Sequence, residues 1–191
     1  GKMEAHDEVR SSTSGSLNNE DGDAFTLTLE PLDEARAMKF VRSPSAGATC
    51  MFVGTTRDTF QERTVNRLEY EAYSKLALKT MRSIVQKARS GQLQPTVEGR
   101  DLPSSDRLLH GQTVTRIYMS HRLGVVPVGE SSIVIAVSSP HRRESFEVAE
   151  WLLEQVKREV PIWKREVYAE GQRDLASGSQ STWKANFPTA A

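Results

Sequence analysis

Ile133-Val134-Ile135-Ala136-Val137-Ser138-Ser139-Pro140-His141-Arg142-Arg143-Glu144, continued to Val160-Pro161-Ile162-Trp163-Lys164-Arg165-Glu166-Val167-Tyr168, holds the reading that decides the fold. Ile133 to Val137 is an apolar run of strand length. Ser139 can cap a helix with Pro140 at its first position, leaving His141 and Arg142 in the first turn. From about Pro140 to Val160, the apolar residues Phe146, Ala149, Leu153, Val156 and Val160 recur at helical spacing and mark a buried face. Pro161 stops the helix, and Ile162 to Tyr168 reads as extended chain. A strand, an amphipathic helix and a further strand in succession predict a sheet with helices packed on it, the α+β class.

The charges in this stretch point beyond packing. A helix start offers unpaired N–H groups and the positive end of the macrodipole, so His141 and Arg142 there read as an anion site. The same pair also reads as a solvated helix start whose arginines, Arg142 and Arg143, meet nearby glutamates. Lys157 follows Phe146 by roughly three helical turns, at the edge of the apolar stripe. It is either a snorkelling lysine, an ion-pair partner of Glu150 or Glu154, or a partly desolvated nucleophile or proton donor. Lys164 and Glu166 point to one side of a strand, as a solvated pair or as a charge clamp and proton relay.

Working outward, Arg67 to Tyr73 alternates strictly, and Ser74 can cap a helix through Ala77, Met81, Ile84, Val85 and Ala88 that Gly91 closes. Ala48 to Gly54 is a buried strand opening into Thr55-Thr56-Arg57-Asp58, and Arg57 lies at the strand end where ligands gather. Phe25 to Leu29 alternates as a strand, and Pro31 suits the first turn of a helix carrying Leu32, Ala35, Met38 and Val41. Val114 to Met119 is another strand, and residues 121–130, broken by Gly and Pro, form a short β excursion. His121 is expected to be satisfied by a carbonyl. Residues 1–23 are polar and predicted to be disordered. Residues 24–170 form the folded domain, residues 92–110 a loop insertion within it, and residues 171–191 a C-terminal tail.

Lysine plus arginine and aspartate plus glutamate number 25 each, so the net charge is zero and no broad attraction to nucleic acid or an anionic membrane is indicated. Anion binding must then come from local placement. With one cysteine, Cys50, neither an intrachain disulfide nor a cysteine metal cluster can form, and a reducing, cytosolic setting is expected. Cys50 alternates with apolar neighbours and reads as a small core residue rather than a sulfur carrier. No metal site and no cofactor are expected.

Five motifs in order carry a resemblance: Phe52 to Arg57, Leu68 to Tyr73, His121 to Gly124 with Gly129-Glu130, Ser138 to Arg142, and Val160 to Glu166. Together they resemble the large, catalytic subunits of molybdopterin synthase, and Ser181-Thr182-Trp183-Lys184 is similar to the tail of the eukaryotic members. The resemblance implies an α/β hammerhead fold with a small β subdomain, and a central homodimer. Each protomer would bind a ubiquitin-like small subunit ending in a Gly-Gly thiocarboxylate, giving a heterotetramer. The implied reaction, part of molybdenum cofactor biosynthesis, transfers sulfur twice to cyclic pyranopterin monophosphate to form the dithiolene. The family's substrate contacts fall on Thr55, Thr56, Arg57, His141, Arg142, Lys157, Lys164, Arg165 and Glu166. By that resemblance His141, Arg142 and Arg57 hold the phosphate, Lys157 meets the thiocarboxylate, and Lys164 and Glu166 move protons. The pocket is built across the dimer, so His141 and Arg142 would serve the partner's Lys157. Two other readings stand beside this one. One is a non-catalytic docking module for a ubiquitin-like partner, the other a pterin or nucleotide enzyme without sulfur transfer.

Overall fold

The computed structural model describes residues 12–91, 114–174 and 178–186. Among these, the elements in order are β1 (Gly15–Asn18), β2 (Ala24–Thr28), α1 (Glu34–Val41), β3 (Ala48–Thr55), β4 (Thr59–Phe60) and β5 (Arg63–Ala72). They continue as α2 (Ser74–Arg89), β6 (Arg116–Arg122), β7 (Gly124–Pro127), β8 (Ser131–Ser139), α3 (Arg142–Glu159), β9 (Ile162–Tyr168) and β10 (Lys184–Ala185). The expected loop insertion at 92–110 lies outside the described residues.

The first sheet has the order β1-β2-β6-β8-β3, antiparallel except where β2 runs parallel to β6. Its inner strands are apolar on both faces because both are covered. Phe25, Leu27, Ile117, Met119, Ile135 and Val137 face α2 and α3. The alternate residues Ala24, Tyr118, Val134 and Ala136 join Ala37 and Val41 of α1. Burying each large aliphatic residue contributes about 1.5–3 kcal/mol, so the continuous apolar run of β8 is its signature as an inner strand covered on both faces. The second sheet has the order β10-β9-β5-β4, with β7 also on β5, and forms the small β subdomain. The α+β class and the two-part architecture agree with expectation.

Local details correct the sequence reading. The helix after β8 is not capped by Ser139: Pro140 precedes it and His141, extended at φ −124°, stands at the N-cap with no side-chain bond. Ser139 Oγ instead donates to the His141 carbonyl at 2.6 Å. The buried face of α3 is Ser145, Val148, Ala149, Leu152, Gln155 and Val156, whereas Phe146 is 62% exposed. Pro31 lies ahead of α1, whose start is closed by the Asp33 carboxylate accepting from Arg36 N at 2.9 Å. Ser74 is the first residue of α2 rather than its cap, and its hydroxyl accepts from Thr13 N at 2.9 Å. A Cβ on Gly47 would meet the Pro140 carbonyl oxygen at 2.5 Å, so only glycine lets the chain enter β3 beside the start of α3.

The expected disorder of residues 1–23 does not hold for residues 12–23. β1 adds to the sheet edge through β2, and Asp23 is fully buried. Its carboxylate accepts two bonds from Arg89 (2.6 and 2.8 Å), one from Ile117 N (2.8 Å) and one from Asn19 Nδ2 (2.8 Å). Arg89 also donates to the Val114 carbonyl at 3.0 Å, so this one ion pair joins the β1–β2 turn, the end of α2 and the approach to β6. Removing one member of such a buried pair leaves the other charge uncompensated. Asp23→Ala is therefore expected to lower the unfolding free energy by about 3–5 kcal/mol in urea titrations. A loss below about 1 kcal/mol, the scale of an exposed pair, would contradict the node.

Candidate active site

A cleft of about 230 Å³ opens between the two sheets beside the end of α3. Arg57 and Thr55 follow from β3, Lys157 comes from α3, and Lys164 and Glu166 come from β9. Phe52, Phe60, Leu68, Ile133 and Leu153 supply its apolar walls. The hairpin of β4 and β5 brings Phe60 to the rim through a two-residue turn at Gln61 and Glu62, both at positive φ (48° and 63°).

Each cationic group is fixed differently. β3 bulges between Gly54 and Thr55. A Cβ on Gly54 would lie 2.7 Å from the Ile133 side chain, so glycine lets β3 and β8 close at the cleft floor. Thr56 is buried and tied down: its N–H donates to the Glu130 carbonyl (3.0 Å) and its hydroxyl to the Val126 carbonyl (3.2 Å). Thr56 thus anchors the rim from which the exposed Arg57 projects, and does not face the cleft. Lys157 is exposed on the α3 stripe that also carries Leu153, and no described residue pairs with it. Neither Glu150 nor Glu154 takes it as an ion-pair partner.

Lys164 and Glu166 share one face of β9, with Lys164 Nζ 3.7 Å from Glu166 Oε1. Glu166 is only 4% exposed. Arg165 points the other way. It donates to Glu69 at 2.6 Å and lies over the Trp183 ring at 4.6 Å, so it braces the back of the second sheet instead of lining the cleft. Burial alone would raise the Glu69 carboxyl, but bonds from Arg67 and Arg165 outweigh it and hold it below the ordinary value. His141 and Arg142 sit exposed at the opposite end of α3, ~24 Å from Lys157 at 1.5 Å per residue. One protomer therefore gathers Thr55, Arg57, Lys157, Lys164 and Glu166, but not Thr56, Arg165, His141 or Arg142.

The C-terminal segment contributes what sequence reasoning missed. β10 pairs with β9, Lys184 opposite Lys164, and Asn186 reaches the cleft wall. Lys184 Nζ donates to Asp174 Oδ2 at 2.6 Å and lies 3.5 Å from Glu166 Oε2. Burial would lower the Lys184 ammonium, but the Asp174 bond and the charges of Glu166 and Asp174 outweigh it and raise it. Tyr70 and Tyr168 flank the same carboxylate, and burial, aided by the Glu166 charge, pushes both phenols up, at Tyr70 against a hydrogen bond with Ser132. Among the described residues no group of His, Cys, Asp and Glu could hold a metal. Cys50 lies apart in a shallow groove with Phe146 and Leu153, and burial raises its thiol, which disfavours the reactive thiolate.

This fold matches molybdopterin synthases of known structure. The crystal structure of molybdopterin synthase from Staphylococcus aureus superposes with a TM-score of 0.63 at 26% identity, covering 83% of this chain and 94% of that one. A complex of subunits 1 and 2 of molybdopterin-converting factor from Helicobacter pylori shares the fold, with a TM-score of 0.57 at 21% identity over 81% of this chain and 92% of that one. The chain belongs to the MoaE protein family, whose model matches residues 27–159. It is 41% identical over 160 residues to molybdopterin synthase catalytic subunit 2 of Aedes aegypti (84% of this chain, 87% of that protein). It is 42% identical over 167 residues to the molybdopterin synthase catalytic subunit of Pyricularia oryzae (87% of this chain, 76% of that protein).

Beneath the cleft His121 is satisfied by a carbonyl, as expected: Nδ1 meets the Arg122 carbonyl at 2.7 Å, and the ring meets Tyr70 edge-on at 4.8 Å. Burial holds its pKa down to about 4, against the weaker pull of that carbonyl. The unfolded chain therefore binds the proton first. Stability is intact above the unfolded value of about 6.5 and falls by about 3 kcal/mol as pH drops from there toward 4. Urea midpoints measured between pH 7 and 4 are expected to drop, with most of that drop absent in His121→Phe. An equal drop in both proteins would assign it elsewhere.

Proposed function

We propose that this chain is the catalytic subunit of a molybdopterin synthase, transferring sulfur from a thiocarboxylated ubiquitin-like small subunit to cyclic pyranopterin monophosphate. The observation that carries this reading is the convergence of Arg57, Lys157 and Lys164 on one apolar-walled cleft in which Lys157 has no carboxylate partner among the described residues. Three cations around a partly dry space suit an anionic substrate and an anionic acyl donor. Arg57 and Lys164 hold the phosphate and the pterin oxygens. The thiocarboxylate sulfur forms a C–S bond to the pterin as an oxygen is lost. Water then cleaves the acyl–sulfur bond to leave the small subunit's C-terminus as a carboxylate, with Lys157 stabilising the charge that develops at the acyl carbon. Glu166, screened from solvent beside Lys164, takes part in proton transfer as oxygen leaves.

The separation of the two ends of α3 supports a site completed by a second copy, with His141 and Arg142 of one protomer reaching the cleft of the other. Two small subunits on such a dimer make the heterotetramer. The cytosol is the proposed setting. No helix among the described residues is long and apolar enough to cross a membrane, and the single cysteine is free. A non-catalytic docking module would need the apolar walls but not the converging cations.

Incubation with thiocarboxylated small subunit and cyclic pyranopterin monophosphate is expected to yield molybdopterin. Lys157→Ala is expected to reduce the yield at least about 100-fold while small-subunit binding persists; near-normal turnover would remove Lys157 from the mechanism, and small-subunit binding without any product from the wild-type chain would leave only the docking module. The shared site has its own check. His141→Ala and Lys157→Ala proteins, each inactive, are expected to regain about a quarter of full activity when subunits are exchanged, because half the dimers then carry one intact site. No recovery after verified exchange would place both residues in one protomer's site.

A further inference from the structure

We propose that Lys184, on β10, is a positioning residue of this active site: together with Asp174 it fixes the Glu166 carboxylate and so keeps Lys164 available to substrate. The proposal rests on the sulfur-transfer reading of the cleft.

Four side chains form a row of alternating charge, Lys164, Glu166, Lys184 and Asp174. Both carboxylates are almost fully buried, at 4% and 3% exposure. The contacts are unequal. Lys184 is bonded to Asp174 at 2.6 Å, whereas Glu166 has an ammonium on each side at 3.7 and 3.5 Å, neither close enough for a strong hydrogen bond. Glu166 Oε2 has no hydrogen-bond partner among the described residues. The carboxylate is thus balanced by charge while an acceptor position stays open. A buried carboxylate that loses such balance takes up a proton or captures the nearest cation. That cation is Lys164, which lines the cleft, while Lys184, on the other side of Glu166, is not among the residues that line it.

The strand that carries Lys184 is held from both sides. Trp183 turns outward under Arg165, and Asn186 N donates to the Ile162 carbonyl at 3.0 Å. The register sets Lys184 opposite Lys164, so its side chain falls on the cleft side of β9, over the Phe60 ring at 5.5 Å. The groups facing Glu166 are Lys164 and Tyr168 on β9, Tyr70 on β5, Lys184 and Asp174 on its other side, and Lys157 and Arg57 across the cleft. Among the described residues, Lys184 is the cation that links Glu166 to a second buried carboxylate.

The test measures kcat and KM against pH in the reconstituted synthase, with thermal unfolding alongside. Lys184→Met is expected to lower kcat/KM for the pterin phosphate at least about 10-fold, with kcat falling and KM rising together because Lys164 is drawn away from substrate, and to move the acidic limb of the kcat profile to higher pH. Lys184→Arg is expected to restore most of kcat and return the limb. Adding Asp174→Asn to Lys184→Met removes both charges of the outer pair and is expected to recover part of the loss. An unmoved limb, or a loss that neither the arginine variant nor the double variant relieves, would make Lys184 a merely structural residue and overturn the proposal. If the wild-type chain makes no molybdopterin, the sulfur-transfer reading falls on its own. The carboxyl 13C signal of Glu166 then decides the rest: an upward-shifted titration in Lys184→Met upholds the positioning role, and an unchanged one ends it.

Discussion

The cleft depends on one crossing point, where β5 passes into α2 and α3 passes into β9. Tyr73 N donates to the Pro161 carbonyl at 3.2 Å, and the rings of Tyr73 and Trp163 meet edge to face at 4.9 Å. Ala72 and Ile162 stand in register on either side of it. Pro161 has no N–H to continue the helical ladder, so the chain leaves the first sheet's helical layer at Val160 and enters the second sheet at Ile162. That change of layer makes Lys157 and Lys164 face a common gap. A helix continued past Val160 would carry the second lysine away along the axis.

Given this geometry, a chain of zero net charge can still present a cationic site. Glu69 and Glu130 are occupied by Arg165 and Arg122, and Asp23 by Arg89, all away from the cleft. What remains at the cleft is an excess of positive charge against low-dielectric walls, where each charge acts more strongly than in water. Glu166 is the exception. Its two lysine neighbours balance it, and they also connect the cleft face of β9 to the C-terminal strand.

Much of this was legible in the sequence, and the failures are physical. The strand at Ile162–Tyr168 and the shared side of Lys164 and Glu166 follow from period-two alternation, which pleating enforces. β8 showed as an apolar run because both faces are covered. The α3 stripe was read in part: Ala149, Val156 and Val160 are buried and Leu153 packs on the core, but Ser145 and Gln155 are buried while Phe146 is exposed, so hydrophobicity alone misplaced the stripe's edge. Residues 12–23 read as disordered because their order comes from Asp23 meeting Arg89, 66 residues away, which no local pattern reports. Lys184 was hidden for the same reason: it reaches Glu166 only after the chain turns back through a polar segment. Thr56 and Arg165 belong to the motifs, yet they hold the rim and the back wall. A motif records which residues matter together and not which of them touch the ligand.

A crystal structure with cyclic pyranopterin monophosphate bound tests the central claim most directly. The account predicts the phosphate in the cleft beside Arg57 and Lys164, Lys157 facing the pterin, and His141 and Arg142 of the partner protomer within about 3 Å of the phosphate oxygens. Ligand seated in the groove by Cys50 and Phe146, or a cleft filled without any group from a second protomer, would contradict it.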